Sequence, residues 1–194
     1  MMSAKKSDME TPAQVLSMHP RKFLLWLFIV SIVMIFASLT SAYVVKQSEG
    51  AWLIFDLPQA FVYSSVVVLL SSATMQWAYW AAKKDNLSQI KIAVGATLAL
   101  SLVFLIVQYL GWEQLVDQQV FFVGNPAGSF IYVLTGLHAF HLAAGIVFLI
   151  IVLISTLRFK VHSKSMTQIE MCTTFWHFLS GLWIYLYLFL LLNN

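Results

Sequence analysis

The chain has 194 residues, 60% of them hydrophobic and 10% charged, with a formal net charge of +3 and a mean hydropathy of +0.83. Soluble domains carry about 45–50% apolar and about 25% charged residues, so this composition excludes a soluble enzyme, a nucleic-acid binder and a disordered regulator, and places the chain in a membrane. The one cysteine, Cys172, excludes an internal disulfide framework and any cysteine-held cluster built by this chain alone.

A spanning helix needs about 20 consecutive apolar residues, and five segments meet that condition. The first 22 residues are polar, carry Pro12 and Pro20 and have no apolar signal core. The first span, Phe23 to Val45, contains no Asp, Glu, Lys or Arg. It is too long for a signal-peptide core and reads as an uncleaved anchor. The remaining spans are expected at 60–82, 92–112, 129–157 and 171–192. The fourth is about 43 Å long at 1.5 Å per residue, longer than a hydrocarbon core of roughly 30 Å, so it tilts or projects. The expected architecture is all-α: a polar tail over 1–21, then a five-helix transmembrane domain over 22–194. There is no internal repeat and no low-complexity tract.

Lysine and arginine set the expected orientation. Lys5, Lys6, Arg21, Lys22, Lys83, Lys84, Lys91, Arg158, Lys160 and Lys164 fall on one side of a five-span topology and Lys46 alone on the other, ten against one. The N-terminus is therefore expected inside and the C-terminus outside. Trp77, Tyr79 and Trp80 at the inner end of the second span, and Tyr109 and Trp112 at the outer end of the third, read as an interfacial aromatic belt.

The middles of the spans hold no acidic or basic residue other than histidine. A proton-coupled carrier or channel usually keeps ionisable groups near the midplane. His138 and His141 share a face of the fourth span in a stripe with Thr135 and Gly145; His177 lies on the fifth with Thr173, Ser180 and Gly181. Small polar stripes of this kind are ordinary interhelical contacts in lipid. The plain reading is neutral histidines hydrogen-bonded between the fourth and fifth helices. The sharper reading is ligation of haem or metal, with His177 opposing His138 or His141, although no thiolate or nearby carboxylate supports a zinc or copper site. Ser64, Ser65, Ser71, Ser72, Thr74 and Gln76 on the second span, and Thr97, Ser101 and Gln108 on the third, read as packing faces. Glu170 suits the positive end of a helix dipole.

In order along the chain, several stretches resemble a known family. Phe175-Trp176-His177-Phe178-Leu179-Ser180-Gly181-Leu182-Trp183 resembles the Tyr-Trp-His-Phe-Val-Asp-Val-Val-Trp signature of subunit III of the haem–copper oxidases. Gly136-Leu137-His138-Ala139-Phe140-His141 resembles its Gly-x-His-Gly-x-His motif. Glu170 stands six residues before Trp176, as the family's glutamate does. Ser71-Ser72-Ala73-Thr74 resembles Ser-Ser-x-Thr, Gln108 with Trp112 resembles Gln-x-x-Glu-Trp, and Trp26-Leu27-Phe28-Ile29 resembles the opening of the first helix in the short, five-helix bacterial form. The resemblance covers about residues 21 to 192.

The resemblance implies an accessory subunit of a respiratory terminal oxidase in a bacterial inner membrane, non-catalytic itself but part of a proton-translocating cytochrome c or quinol oxidase. It implies no haem or copper in this chain, since subunit I holds the redox centres, and packing against subunit I, with subunit II and smaller subunits as further partners and a respiratory supercomplex as a possible setting. It also implies support of proton uptake and stability, and a bound phospholipid. Three positions depart from the family pattern. Ile32 stands where short-form relatives carry a membrane glutamate, Gly111 replaces the glutamate of Gln-x-x-Glu-Trp, and Ser180 replaces the aspartate of the last signature. Support of proton uptake is then expected to come from packing or from inner-side groups, with His162 and Glu170 as candidates. A small membrane cytochrome with histidine-ligated haem and a small carrier or channel are the competing readings.

Overall fold

A computed structural model describes residues 20–50, 52–157 and 166–193. They form five α-helices: α1 (Pro20–Ser48), α2 (Gln59–Lys83), α3 (Leu87–Asp117), α4 (Pro126–Leu157) and α5 (Thr167–Asn193). All five are long and apolar enough to cross a membrane, and no strand occurs among the described residues. Each expected span lies within one helix. The helices run a few residues further at most ends, because they continue as polar turns beyond the apolar core. The expected tail lies almost wholly outside the described residues, as does His162, and α1 already begins at Pro20.

Local chemistry explains the boundaries. Pro20 and Pro126 occupy the first position of their helices, where the missing N–H costs nothing. Asn86 caps α3, its side chain accepting from the Gln89 backbone N–H at 3.2 Å. Two helices end in the six-to-one and five-to-two hydrogen-bond pattern that needs a left-handed residue just past the helix. At α2 these bonds run from Asn86 N–H to Ala81 O and from Asp85 N–H to Ala82 O, with Asp85 at φ 52°. At α3 they run from Val120 N–H to Leu115 O and from Gln119 N–H to Val116 O, with Gln119 at φ 62°. The first pattern folds α3 back against α2; the second packs buried Val120 over buried Leu115.

The helix contacts form a closed ring: α2 packs on α3, α3 on α4, α4 on α5 and α5 back on α2. α1 lies outside this four-helix bundle and touches only α4 and α5. The core is the inside of the ring, with Phe61, Met75, Phe104, Leu134, Leu149, Trp176, Leu179 and Trp183 all buried. Outward faces carry exposed large apolar side chains on every helix, including Leu24, Met34, Leu69, Ile106, Val147 and Leu191, as a lipid-facing surface requires.

Close approach between α4 and α5 depends on Gly145. A Cβ there would stand 2.9 Å from Leu179 Cδ1 and 3.3 Å from Trp176 Cζ3. With no hydrophobic drive between helices in lipid, backbones approach closely where one residue is small.

Candidate functional site: the polar seam and inner cleft

α5 runs antiparallel to α2, and its polar aromatic side chains meet the hydroxyls of α2 in one register. Trp183 Nε1 donates to Ser65 Oγ at 3.1 Å, and Trp176 Nε1 to Ser71 Oγ at 3.2 Å. His177 uses both ring nitrogens: Nδ1 lies 2.6 Å from Ser72 Oγ and Nε2 lies 2.9 Å from Gln76 Oε1. An amide oxygen only accepts, so Nε2 carries the proton and the Ser72 hydroxyl donates to Nδ1. Ser71 in turn donates to Val68 O. Thr74 extends the polar contacts to the third helix through Thr97 Oγ1, 2.8 Å away. Trp112 Nε1 ties α3 to Thr135 Oγ1 of α4 at 3.0 Å.

This geometry corrects the expected pairing of histidines between α4 and α5. His177 is held by α2, because α5 sits between α4 and α2 and turns this face towards α2. His141, on α4, donates from Nδ1 to its own Leu137 carbonyl at 2.8 Å. Its ring lies against Phe28 and Phe36 of α1, with centroids 6.4 Å and 5.8 Å away. His138 points into the bundle between Phe104 and Trp183, at 6.0 Å and 5.2 Å, with no hydrogen-bond partner on either nitrogen. Gln108 of α3 is buried with its amide likewise unpartnered.

The residues singled out by sequence thus separate into groups. Ser71, Ser72, Thr74, Trp176 and His177 belong to one seam. Trp112 bridges α3 and α4, Gln108 and His138 face the interior, and His141 faces α1. Glu170 sits at the Lys-rich end, where Lys22 Nζ reaches its carboxylate at 2.6 Å and joins α1 to α5. Sequence reasoning took Ser65 and Gln76 for general packing and did not single out Lys22. The signal for Gln76 was its spacing of four from Ser72, which puts both on one face towards a single partner.

The three departures from the family pattern have distinct surroundings. Ile32 is buried in the stripe between Phe28 and Phe36, the two rings that face His141. At Gly111 a Cβ would come within 2.6 Å of Phe61 Cε1, so the ring fills the space a side chain would need. Ser180 is buried and donates back to Trp176 O at 2.9 Å.

Two clefts meet at His177. The inner one, about 500 Å³, lies between α1, α2 and α5 and is lined by Lys22, Trp26, Gln76, Tyr79, Glu170 and Thr174, among others. The next, about 400 Å³, continues along α1 and α5 past Val33, Phe36, Phe178, Gly181 and Tyr185 and is mostly apolar. The pair forms a groove that is polar at the inner rim and apolar deeper in. Among the described residues no three His, Cys, Asp or Glu converge as metal ligands. His138 and His177 cannot bracket one haem, since His138 points into the ring of helices and His177 is saturated by Ser72 and Gln76. The arrangement binds helices together and shapes a groove.

Comparison with known proteins adds a family. The family model described as cytochrome c oxidase subunit III matches residues 54–193, which is the four-helix ring with the segment leading into it. Cytochrome c oxidase subunit 3 of Corynebacterium diphtheriae is 26% identical over 163 residues, covering 80% of this chain and 79% of that protein. The same subunit of Bacillus subtilis is 23% identical over 184 residues, 91% of this chain and 88% of the relative. Cytochrome bo(3) ubiquinol oxidase subunit 3 of Buchnera aphidicola is 26% identical over 177 residues, 89% and 93% of the two chains.

Proposed function

This chain belongs to the cytochrome c oxidase subunit III family, and from that premise we propose that it is a non-catalytic subunit of a proton-translocating haem–copper terminal oxidase in a bacterial inner membrane. The observation that carries the reading is the coincidence of the family match over 54–193 with a closed four-helix bundle whose α2–α5 seam is tied by Trp176, His177 and Trp183 to hydroxyl and amide groups of α2. The redox chemistry belongs to the partners: subunit I carries haem and copper, with subunit II and smaller subunits beside it, and this chain contributes packing. Its N-terminus is inside and its C-terminus outside.

The groove at His177 is the place for the bound phospholipid. Its inner rim offers Lys22 for a phosphate and Trp26 and Tyr79 at headgroup depth, and the deeper cleft is apolar. Support for proton uptake then comes through packing against subunit I and through inner-side groups. Glu170 is one of these at the rim, and His162, outside the described residues, is the other.

The test is purification through a tag on this chain from membranes of its own organism. The expected result is co-purification of a larger haem-bearing subunit, while the chain separated from its partners is colourless and free of metal. Stoichiometric haem or copper in the separated chain would restore the cytochrome reading. Recovery of the chain without an oxidase core would overturn the proposal.

A further inference from the structure

Two polar side chains at the centre of the bundle have no partner. Gln108 is 1% exposed and His138 is 0% exposed. Both amide atoms of Gln108 and both ring nitrogens of His138 lack a hydrogen bond. In a membrane such groups have no access to bulk water, and each stranded donor or acceptor is costly.

The two side chains lie on stretches of α3 and α4 that pack together. Phe104, Gln108 and Trp112 form one stripe on α3, four residues apart. Phe104 packs on the His138 ring with centroids 6.0 Å apart, and Trp112 bonds Thr135, one turn before His138, at 3.0 Å. Gln108, midway along the stripe, is therefore set opposite the turn from Thr135 to His138. We propose that Gln108 and His138 together hold an internal water molecule between α3 and α4.

The chemistry is complementary. An amide offers an acceptor oxygen and a donor nitrogen, and a neutral imidazole offers one donor and one acceptor. Water gives two protons and accepts two, so one molecule can join either amide atom to a ring nitrogen. Buried waters typically make about three hydrogen bonds to groups of this kind. No apolar substitute could satisfy both side chains, and the buried rings of Phe104 and Trp183 pack around His138. The site lies inside the ring of helices, separate from the His177 groove, so it stands whether or not that groove holds lipid.

Two measurements on the assembled oxidase test it. High-resolution electron cryomicroscopy is expected to show a rounded density within about 2.7–3.2 Å of a Gln108 amide atom and a His138 ring nitrogen. Water-edited solid-state NMR on ¹⁵N-histidine protein is expected to give a His138 ring signal, assigned by its disappearance in His138→Phe. Gln108→Leu is expected to abolish that water transfer while the His177 signal stays. A direct Gln108–His138 hydrogen bond with no density between them would overturn the proposal. So would a His138 ring that receives no polarisation from water in the wild type. If neither variant assembles, the wild-type density and transfer still decide.

Discussion

His177 has both ring nitrogens engaged by one neighbouring helix, so its loss strands Ser72 and Gln76 rather than any group on α4. Hydrogen bonds between helices in lipid average about 0.6 kcal/mol and reach roughly 1.7 kcal/mol. His177→Ala is expected to cost about 1–2 kcal/mol by that measure, seen as a lower unfolding temperature of the solubilised complex, with oxygen reduction per assembled complex retained. A double-mutant cycle assigns the partner: His177→Ala should couple to Gln76→Ala and not to Thr135→Ala. Loss of all turnover in fully assembled oxidase would instead put His177 in the chemistry. Ile32 invites the reverse experiment. No Asp or Glu lies in the middle of any span, so a carbodiimide, which needs a protonated acid in an apolar setting, should label nothing there. Ile32→Glu places a carboxyl between Phe28 and Phe36, on the face that meets His141. Mass mapping should then find one new adduct, on position 32. An adduct within the spans of the wild-type chain would contradict the reading.

At the scale of the helix, the close contact of α4 with α5 hangs on one missing side chain. Gly145→Val drives two methyl groups towards Leu179 and the Trp176 ring, where even a Cβ is already tight. Overpacking of this kind costs about 1–3 kcal/mol. The expected result is reduced recovery of assembled complex by size-exclusion chromatography, with Gly145→Ala milder because the Leu179 methyl can rotate away. α1 should respond differently to loss of its inner tie. Lys22 and Glu170 are 40% and 31% exposed at the side chain, and pairs with that access to water are worth little. α1 is also bound to α5 by Thr40 with Tyr185 and by Gln47 with the Asn193 carbonyl.

The helices themselves were legible because a bilayer demands an unbroken apolar run for each crossing, and five such runs are present. The helix ends were less so. Asn86 and the left-handed Asp85 and Gln119 set them by local hydrogen bonding beyond the apolar core. The helix pairing was not legible at all for His177. A small polar stripe shows that a face is buried against another helix, and α5 has three neighbours, α1, α2 and α4. The choice of α2 depends on register along the whole pair, from Trp183 on Ser65 to His177 on Gln76. The isolation of Gln108 and His138 was hidden for the same reason, since only the three-dimensional count of partners reveals it.

For the whole molecule, the antiparallel run of helices gathers charge at its two ends. One end holds Arg21, Lys22, Lys83, Lys84 and Lys91, with Asp85 and Glu170; the other holds Glu49, Asp56, Glu113 and Asp117, with Lys46 as its only Lys or Arg among the described residues. Orientation follows the basic residues and depends little on the acidic ones. On the orientation proposed above, the basic end is the cytoplasmic one. That orientation would turn the Lys22–Glu170 mouth of the groove towards the cytoplasm, the side from which the proposed oxidase takes up protons, and the acidic rim outwards. The topology is open to a direct test. Cys172 is buried, so single cysteines introduced as Ser3→Cys and Asn194→Cys can be read in its presence. A membrane-impermeant maleimide added to intact cells should label position 194 and leave position 3 unlabelled until the membrane is opened. Labelling of both from the same side would require an even number of crossings and would break the five-span arrangement. Labelling of position 3 alone would keep the five spans but invert the molecule, and Glu170 could then take no part in proton uptake from the cytoplasm.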